Sequence, residues 1–396
     1  MLSSCVRNKR NCKVRILHHS IGSVVLFVWG VVALSLGLHA AANEGVHPFD
    51  VYAVDGAGEQ LLHIAVRPNR NQIQVTQEGV VAMPGKPHGI AKHPTQSVFI
   101  ATLPGQGTES PRAVTLRIGD DGTLSIVGVS DLQDSTGYTS FDRTGGYFLT
   151  SSYHDGHFDV YQVKPDGVVG ERVSHQQVAE KYAHSVLTTS DNRFLYVPCV
   201  KEFNAIFQYS FDGQTGNVLP LEPFDAKPPH MFGPRHIAYH PDRPYVYFSN
   251  EQQLGVSAYR IEEDGQLAAL QHATTIPRRS PYTAGVRDMH ASDVAVTGDG
   301  KFLFLALRDF VGDEDSVFMF RVVEDGRLSL VSRKRVGDIP WCLRVSPSDS
   351  HLLVSESRDK TLAVLPIQQD GLLGDAVRMD WGAEVRSMVV RRLPAK

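Results

Sequence analysis

One pattern of paired short strands recurs along the chain at intervals of roughly 46 to 57 residues, a spacing typical of propellers and other repeat arrays. In the clearest copy, Arg235 to His240 and Tyr245 to Asn250 are rich in aromatic and β-branched residues and are joined by the turn sequence Pro241-Asp242-Arg243-Pro244. A third apolar run follows each pair, and a glycine-containing turn leads to a fourth. Because four antiparallel strands make one propeller blade, the repeat predicts an all-β chain.

Six complete copies of the repeat are visible, and the two ends of the chain can supply a seventh. Val385 to Val390 matches a first strand with no second strand after it, whereas the runs between Phe49 and Val75 lack a leading strand. Pairing these ends leaves no free edge in the ring. We therefore predict one seven-bladed β-propeller over residues 43–396, with four antiparallel strands per blade and a ring closed by pairing of N- and C-terminal strands. Six and eight blades are the alternatives.

Residues 1–42 have the order of a secretory signal peptide. A basic segment from Arg7 to Arg15 precedes an apolar run from Ile21 to Leu38, and the small residues Ala40 to Ala42 follow. The alternative is an uncleaved N-terminal membrane anchor, because the apolar run is nearly long enough to cross a bilayer. Either reading predicts an exported protein, periplasmic or extracellular, that associates with a membrane only if the segment is retained.

The net charge and the cysteine positions limit which partners and which cysteine pairing this chain can have. The formal net charge is −4, and removing the five positive charges of the basic segment leaves about −9, which argues against nucleic acid. Cys199 and Cys342 fall in distant copies of the repeat, so two buried thiols are favoured over a disulfide. We expect a monomer whose partner is a small molecule.

The repeat register predicts which side chains meet at the channel mouth. In a propeller, one face of the disc carries the starts of the first strands and the ends of the second strands. The first-strand starts are His88, Tyr138, His184, Arg235, Ser292, Trp341 and Arg386. The second-strand ends are His154, Lys201 (one position later than the others), Glu251, Arg308 and Ser357. The register therefore brings His184, Arg235, Glu251 and Arg308 together from three consecutive blades.

Each of these side chains also has a purely structural interpretation. Arg235 and Glu251 can form a salt bridge at a strand end, and Arg308 can pair with the adjacent Asp309. His236 and His240 lie on one side of a strand, but no third ligand accompanies them, so no metal site is predicted. The coincidence of four ionisable groups at one mouth favours a functional site.

Three motifs carry a resemblance to a known family. They are Gly233-Pro234-Arg235-His236 with Ser249-Asn250-Glu251, His184-Ser185 ahead of Ser190-Asp191-Asn192-Arg193, and the strand Asp299-Gly300-Lys301-Phe302-Leu303-Phe304 that ends in Arg308. From Phe49 to Leu393 the chain resembles the lactonase family of seven-bladed propellers, which includes bacterial 6-phosphogluconolactonases of the propeller type and the fungal muconate-lactonising enzyme. The resemblance implies catalytic roles for His184, Arg235, Glu251 and Arg308. The remaining candidates, for substrate binding, are His88, Tyr138, His154, Lys201, His236, Trp341 and Arg386.

These residues predict hydrolysis of a sugar or hydroxy-acid lactone without a cofactor. His184 is the better candidate base, because neighbouring arginines favour the ionised form of Glu251, and Arg235 with Arg308 would polarise the carbonyl. On this interpretation Arg235→Lys lowers activity but leaves stability within about 1 kcal/mol. Export, and the acidic insertion at 311–315, count against a phosphorylated substrate. The alternatives are lactonisation or isomerisation of an unsaturated diacid, and a non-catalytic ligand-binding or scaffolding propeller.

Overall fold

The computed structural model describes residues 47–69, 72–105, 109–275 and 288–393. Residues 1–42, the predicted signal peptide or anchor, lie outside these ranges. The described residues contain β-strands and turns without α-helix, and they therefore include no helix able to cross a membrane.

The strands follow one another in the order predicted from the repeat. The first three are β1 (Phe49–Asp55), β2 (Gln60–Pro68) and β3 (Ile73–Ala82). Blade 2 consists of β4 (Gly89–Lys92), β5 (Val98–Leu103), β6 (Arg112–Ile118) and β7 (Leu124–Asp131). Blade 3 consists of β8 (Tyr138–Phe141), β9 (Tyr147–Ser151), β10 (His157–Val163) and β11 (Val169–Gln177). Blade 4 consists of β12 (Leu187–Thr188), β13 (Phe194–Cys199), β14 (Ala205–Phe211) and β15 (Val218–Ala226).

The second half of the chain repeats the same arrangement. Blade 5 consists of β16 (Pro234–Tyr239), β17 (Tyr245–Asn250), β18 (Gly255–Ile261) and β19 (Leu267–Thr274). Blade 6 consists of β20 (Met289–Val296), β21 (Phe302–Asp309), β22 (Ser316–Val322) and β23 (Leu328–Arg335). Blade 7 consists of β24 (Pro340–Val345), β25 (His351–Glu356), β26 (Thr361–Pro366) and β27 (Val377–Asp380), and the last strand is β28 (Met388–Arg392).

The ring closes as predicted, through pairing of the chain ends. Strand β28 pairs antiparallel with β1, with Val390 opposite Val51, so blade 1 has the strand order β28-β1-β2-β3. Every sheet in the described part of the chain has four strands, and there are seven of them. The seven-bladed propeller is therefore confirmed, and the six- and eight-bladed alternatives are wrong.

Burial follows the layered packing of the blades. The middle strands are covered on both faces, so β21 is buried along its whole length and reads as a continuous apolar run until Arg308. The outer strands alternate between half-buried and exposed residues, as in β11. Cys199 and Cys342 are buried free thiols, which confirms the prediction from their spacing.

A repeated tyrosine contact fastens neighbouring blades. The Tyr196 hydroxyl donates a hydrogen bond to the carbonyl of Gly265 in the next blade at 2.8 Å, and Tyr247 does the same to Gly326 at 3.1 Å. Gly265 has a positive φ of 86°, and a Cβ there would lie 2.3 Å from the Phe194 ring. The turn residue between the third and fourth strands is thus fixed as glycine by both backbone conformation and inter-blade packing.

Candidate functional site

Bulges at the starts of three inner strands aim side chains at the channel. The pairing register shifts between Pro234 and Ile237 in β16, and corresponding shifts occur in β20 and β24. A bulge lets consecutive residues point to the same side, which a regular strand forbids. Arg235 and His236 consequently both line the channel mouth, as do Trp341 and Cys342 in β24.

A cavity of ≈ 490 Å³ opens at this mouth. All four predicted catalytic side chains line it: His184, Arg235, Glu251 and Arg308. Of the predicted substrate-binding residues, the cavity is lined by His88, Tyr138, His154, His236, Trp341 and Arg386. Lys201 is not among the lining residues. Its ammonium group instead lies 4.5 Å from the Tyr182 ring centre and 5.7 Å from that of Tyr153, which itself lines the cavity.

Glu251 is the acidic centre of the mouth. Its Oε2 lies 3.4 Å from Nε of Arg235, and its Oε1 lies 3.5 Å from Nη2 of Arg308. His290 Nδ1 approaches the same Oε1 at 3.4 Å. The predicted pairing of Arg235 with Glu251 is present, and the neighbouring blade turns it into a three-membered charge cluster. The long contacts leave Glu251 Oε2 and both arginine Nε atoms without a hydrogen bond.

The two arginines of this cluster are almost fully buried, at 2% and 3% exposure. Burial, with the Arg235 guanidinium next in importance, lowers the pKa of Arg308 to about 9. Burial also lowers the pKa of Arg235. Two cations held close together with a single carboxylate form an electropositive pocket that favours an anion or a developing oxyanion.

His184 lies in an irregular stretch rather than in a regular strand. The isolated bridge from Ala183 to Cys199 precedes it, and β12 begins only at Leu187. Burial, followed by the neighbouring Arg235 guanidinium, lowers the pKa of His184 well below its usual value. His184 is therefore neutral at neutral pH, and its buried Nδ1 has no hydrogen-bond partner.

A buried Asp–His pair stands beside Arg235. His236 Nδ1 donates to Oδ1 of Asp293 at 2.8 Å, and His236 Nε2 accepts from Nη1 of Arg235 at 3.1 Å. Burial, with Arg235 next in importance, lowers the pKa of His236 to about 4. Burial alone would raise the pKa of Asp293, but His236 and the Arg344 guanidinium outweigh it and hold that pKa below its usual range. The imidazole is thus neutral, with its tautomer fixed.

The Trp341 ring contacts two of the arginines that line the cavity, Arg308 and Arg386. Its ring centre lies 4.6 Å from Cζ of Arg308 and 4.4 Å from Cζ of Arg386. Indole faces attract guanidinium groups, so the ring holds two like charges at one mouth. Arg386 is half exposed and lies at the open side of the cavity.

The sequence argument missed three contributors to the site. Asp293 and Arg344 lie one and three residues beyond the positions that the register selected, and Tyr153 lies just before His154. Bulges bring Asp293 and its neighbours into the channel. An alignment of the repeats in regular register does not reveal these bulges. Ser292, which the register did select, is buried and donates to the carbonyl of Pro340 at 2.6 Å.

The acidic insertion does not face the cavity. Glu314 Oε1 contacts Nη2 of Arg335 at 2.7 Å, and Asp315 Oδ1 accepts from the backbone N–H of Ile339 at 2.9 Å. Neither acid lines the mouth. The expectation that this insertion puts acidic charge near the mouth was wrong, because Glu314 and Asp315 are bound by their own partners away from the lining.

His236 and His240 do not lie at the same place in the structure. His236 lines the cavity, whereas His240 Nδ1 accepts from the backbone N–H groups of Asp242 and Arg243 in the turn at the other end of β16. In the ranges that the structure covers, neither histidine belongs to a group of three candidate metal ligands.

Fold and site together define a class: a seven-bladed propeller with an arginine-rich, histidine-lined pocket at one channel mouth. Residues 51–388 match the family model described as "Lactonase, 7-bladed beta-propeller", and the chain belongs to that family.

Relatives and solved structures extend this result. The chain is 28% identical over 316 residues to a 6-phosphogluconolactonase of Yersinia pestis, with 78% of this chain and 88% of the relative covered. It is 26% identical over 325 residues to one of Pectobacterium carotovorum, covering 79% and 92%. A periplasmic gluconolactonase of Pseudomonas aeruginosa shares the fold, with a TM-score of 0.76, 21% identity, and coverage of 88% of this chain and 100% of that one.

Proposed function

We propose that the protein hydrolyses a lactone at the channel mouth, with His184, Glu251, Arg235 and Arg308 as its catalytic residues. The observation that carries the proposal is the Glu251 cluster, in which one carboxylate meets two buried arginines at a cavity that is open to solvent. The family supports the same reaction, as do relatives named 6-phosphogluconolactonase. A cavity of ≈ 490 Å³ is ample for a sugar lactone.

The reaction needs a proton acceptor for water and a positive group for the carbonyl oxygen. In the proposed mechanism, neutral His184 takes a proton as water attacks the carbonyl carbon, and the guanidinium groups of Arg235 and Arg308 stabilise the oxyanion. The carbon–oxygen bond of the ring then breaks, and the ring oxygen leaves as a hydroxyl after taking up a proton from the imidazolium. Glu251 holds both arginines in place.

The charge of the cavity supports an acidic lactone as the proposed substrate. Four arginines and two carboxylates line the described mouth, so among these groups there are two more positive than negative charges. Arg344 is matched by Asp293 at 3.0 Å, which leaves the surplus on the side of Arg308 and Arg386. A lactone that bears a carboxylate or a phosphate group would offset this surplus better than a neutral one.

A second candidate is lactonisation or isomerisation of an unsaturated diacid, the chemistry of the fungal muconate-lactonising enzyme. The positive surplus of the mouth favours it, because a diacid carries two negative charges. The same histidine and arginines would serve. Product analysis separates the candidates, since hydrolysis of a lactone releases one new acid group and isomerisation releases none.

We also propose that the protein acts outside the cytoplasm. The order of basic, apolar and small residues in positions 1–42 supports export, and a relative in fold is a periplasmic enzyme. Cell fractionation with N-terminal sequencing of the mature chain tests this. Recovery of the intact N-terminus in the cytoplasm would contradict it.

A panel of lactones tests the activity. Proton release at constant pH is measured with aldonolactones that are neutral, carboxylated or phosphorylated, and the spontaneous hydrolysis of each is subtracted. We expect turnover of at least one acidic lactone, and a loss of roughly 10²-fold or more in Glu251→Gln and Arg308→Gln. Saturable binding without turnover of any member would overturn hydrolysis and favour a ligand-binding propeller.

A further inference from the structure

We propose a second, unassigned site: a divalent transition-metal site in blade 3, formed by Asp134, His157, Asp159 and His175. One ligand atom from each residue lies within 4.8 Å of the others. Two imidazoles with two carboxylates are donors that suit Zn²⁺ and related ions. None of the four lines the cavity at the channel mouth. The proposal is therefore independent of the lactonase assignment.

The sheet geometry brings these ligands onto one face. His157 and Asp159 are two residues apart on β10, so their side chains share a side, and Asp159 pairs directly with His175 on β11. Asp134 reaches them from the segment that connects blade 2 to blade 3. Three ligands therefore rest on a rigid pair of strands, and the fourth comes from a connecting segment.

Two of the ligand separations match a tetrahedral ion, and the third pair, His175 Nδ1 and Asp159 Oδ1 at 2.7 Å, forms a direct hydrogen bond whose proton an ion would displace, with Asp159 binding the ion through Oδ2. With bonds of about 2.0–2.2 Å, two ligands of one zinc ion lie roughly 3.4 Å apart, and two coordinated imidazole rings have centres about 5 Å apart. His157 Nε2 lies 3.5 Å from Asp159 Oδ2, and His175 Nδ1 lies 3.9 Å from Asp134 Oδ2. The ring centres of His157 and His175 are 5.1 Å apart.

Two of these ligand atoms are buried without a hydrogen-bond partner. They are His157 Nε2 and Asp159 Oδ2, on side chains that are 4% and 0% exposed. Buried polar atoms are normally satisfied, and leaving one unpaired costs about 1–3 kcal/mol. These two atoms point toward each other across 3.5 Å, a gap that an ion bound to both would fill.

Arg172 supplies the positive charge when no ion is bound. Its Nη1 donates to Oδ1 of Asp159 at 3.1 Å and to Asp134, and it lies 3.4 Å from His175 Nδ1. The guanidinium thus competes with an ion for three of the four ligands. Because Arg172 is partly exposed, it can swing outward when the ion enters. This competition sets a distinctive expectation: removing Arg172 should strengthen metal binding.

Cobalt(II) titration of the purified full-length protein tests the site. The visible absorption of Co²⁺ reports tetrahedral nitrogen and oxygen ligation, and displacement by Zn²⁺ reports zinc affinity. We expect one saturable ion per chain and a rise in melting temperature with added Zn²⁺. His175→Asn should weaken binding by roughly tenfold or more, and Arg172→Gln should tighten it by a similar factor.

The variants separate this site from other ligands in the chain. His18, His19, Cys5 and Cys12 are alternative ligands near the N-terminus, and binding there would survive His175→Asn unchanged. The exposed His230→Asn is the matched control and should leave affinity as in the wild type. Since His175 is 39% exposed, its substitution should not unfold the blade, whereas the buried Asp159→Asn carries that risk. Absence of saturable binding, or equal affinity in wild type and His175→Asn, would overturn the proposal.

Discussion

Oδ1 of Asp293 lies 2.8 Å from Nδ1 of His236, and this hydrogen bond fixes how the His236 ring faces Arg235. With its proton held on Nδ1, the ring presents a lone pair at Nε2, which accepts from Arg235 at 3.1 Å. Arg235 also donates to the carbonyl of Ser292 at 2.8 Å. The carboxylate in blade 6 therefore sets the position of a guanidinium in blade 5 through the intervening imidazole.

Asp293→Asn should lower kcat by roughly 10²-fold or more while changing KM less. The amide can offer an N–H to His236 Nδ1, which moves the ring proton to Nε2 and sets it against the Arg235 donor. The measurement is kcat and KM with an acidic lactone across pH 5 to 9. The exposed Asp375→Asn, on the outside of blade 7, is the control. A wild-type kcat in Asp293→Asn would show that His236 does not position Arg235.

Arg235→Lys should reduce both activity and stability. Arg235 uses two nitrogens, Nη1 toward His236 and Ser292 and Nε toward Glu251, and a lysine has only one nitrogen on a side chain that is 2% exposed. We expect a loss of roughly 10²-fold in kcat/KM together with about 2–4 kcal/mol in the free energy of unfolding. This replaces the sequence-based expectation of unchanged stability, which ignored burial. Urea unfolding measures the free energy of unfolding. A loss below about 1 kcal/mol would contradict the predicted loss of stability.

Acidification should destabilise the fold below the ordinary histidine pKa. The pKa of His236 is about 4 in the folded protein against 6.5 for a free group, so between these values the unfolded chain binds the extra proton. The stability that His236 contributes is fully present above pH 6.5 and falls by about 1.4 kcal/mol per pH unit toward pH 4. Urea unfolding at pH 7, 5.5 and 4.5 measures this. His236→Gln should flatten the slope by up to one proton, and an unchanged slope would refute the assignment.

Arg386→Gln should raise KM for an acidic lactone by roughly five- to tenfold and leave KM for a neutral lactone within about twofold. Its guanidinium lies over Trp341 at the open side of the cavity, where it adds to the positive surplus. Added NaCl should raise KM for the acidic lactone in the wild type more than in the variant. Arg193→Gln, which changes an exposed arginine outside the lining, is the control. Equal effects on both lactones would contradict the charge argument.

The repeat made the architecture predictable from the sequence. The strand β17, Tyr245–Asn250, matches the predicted run residue for residue, and β16 differs from its predicted bounds by one residue at each end. Period-2 patterning, turn residues and a fixed repeat interval are local properties that a sequence displays directly. The same register predicts that Arg235, Glu251, Arg308 and His184 meet at one mouth, and all four line its cavity.

Departures from that regular register account for the rest of the site. The bulge in β20 between Ala291 and Val294 turns Asp293 toward His236, and the short β12 leaves His184 outside a ladder. Lys201, counted one position beyond the second-strand end, lies over Tyr182 and outside the lining. An offset of one residue reverses the facing of a strand side chain, so small irregularities decide membership of the site.

The blade number, the closure of the ring and the members of the charged cluster can be predicted from the sequence, because each follows from a periodic pattern. Other properties appear only in the folded chain: which side chains share a hydrogen bond, how deeply the arginines are buried, and which histidines are held neutral. Those properties depend on contacts between blades about fifty residues apart in the chain. Asp293 and His236, which meet across two blades, show no sign in the sequence that they are partners.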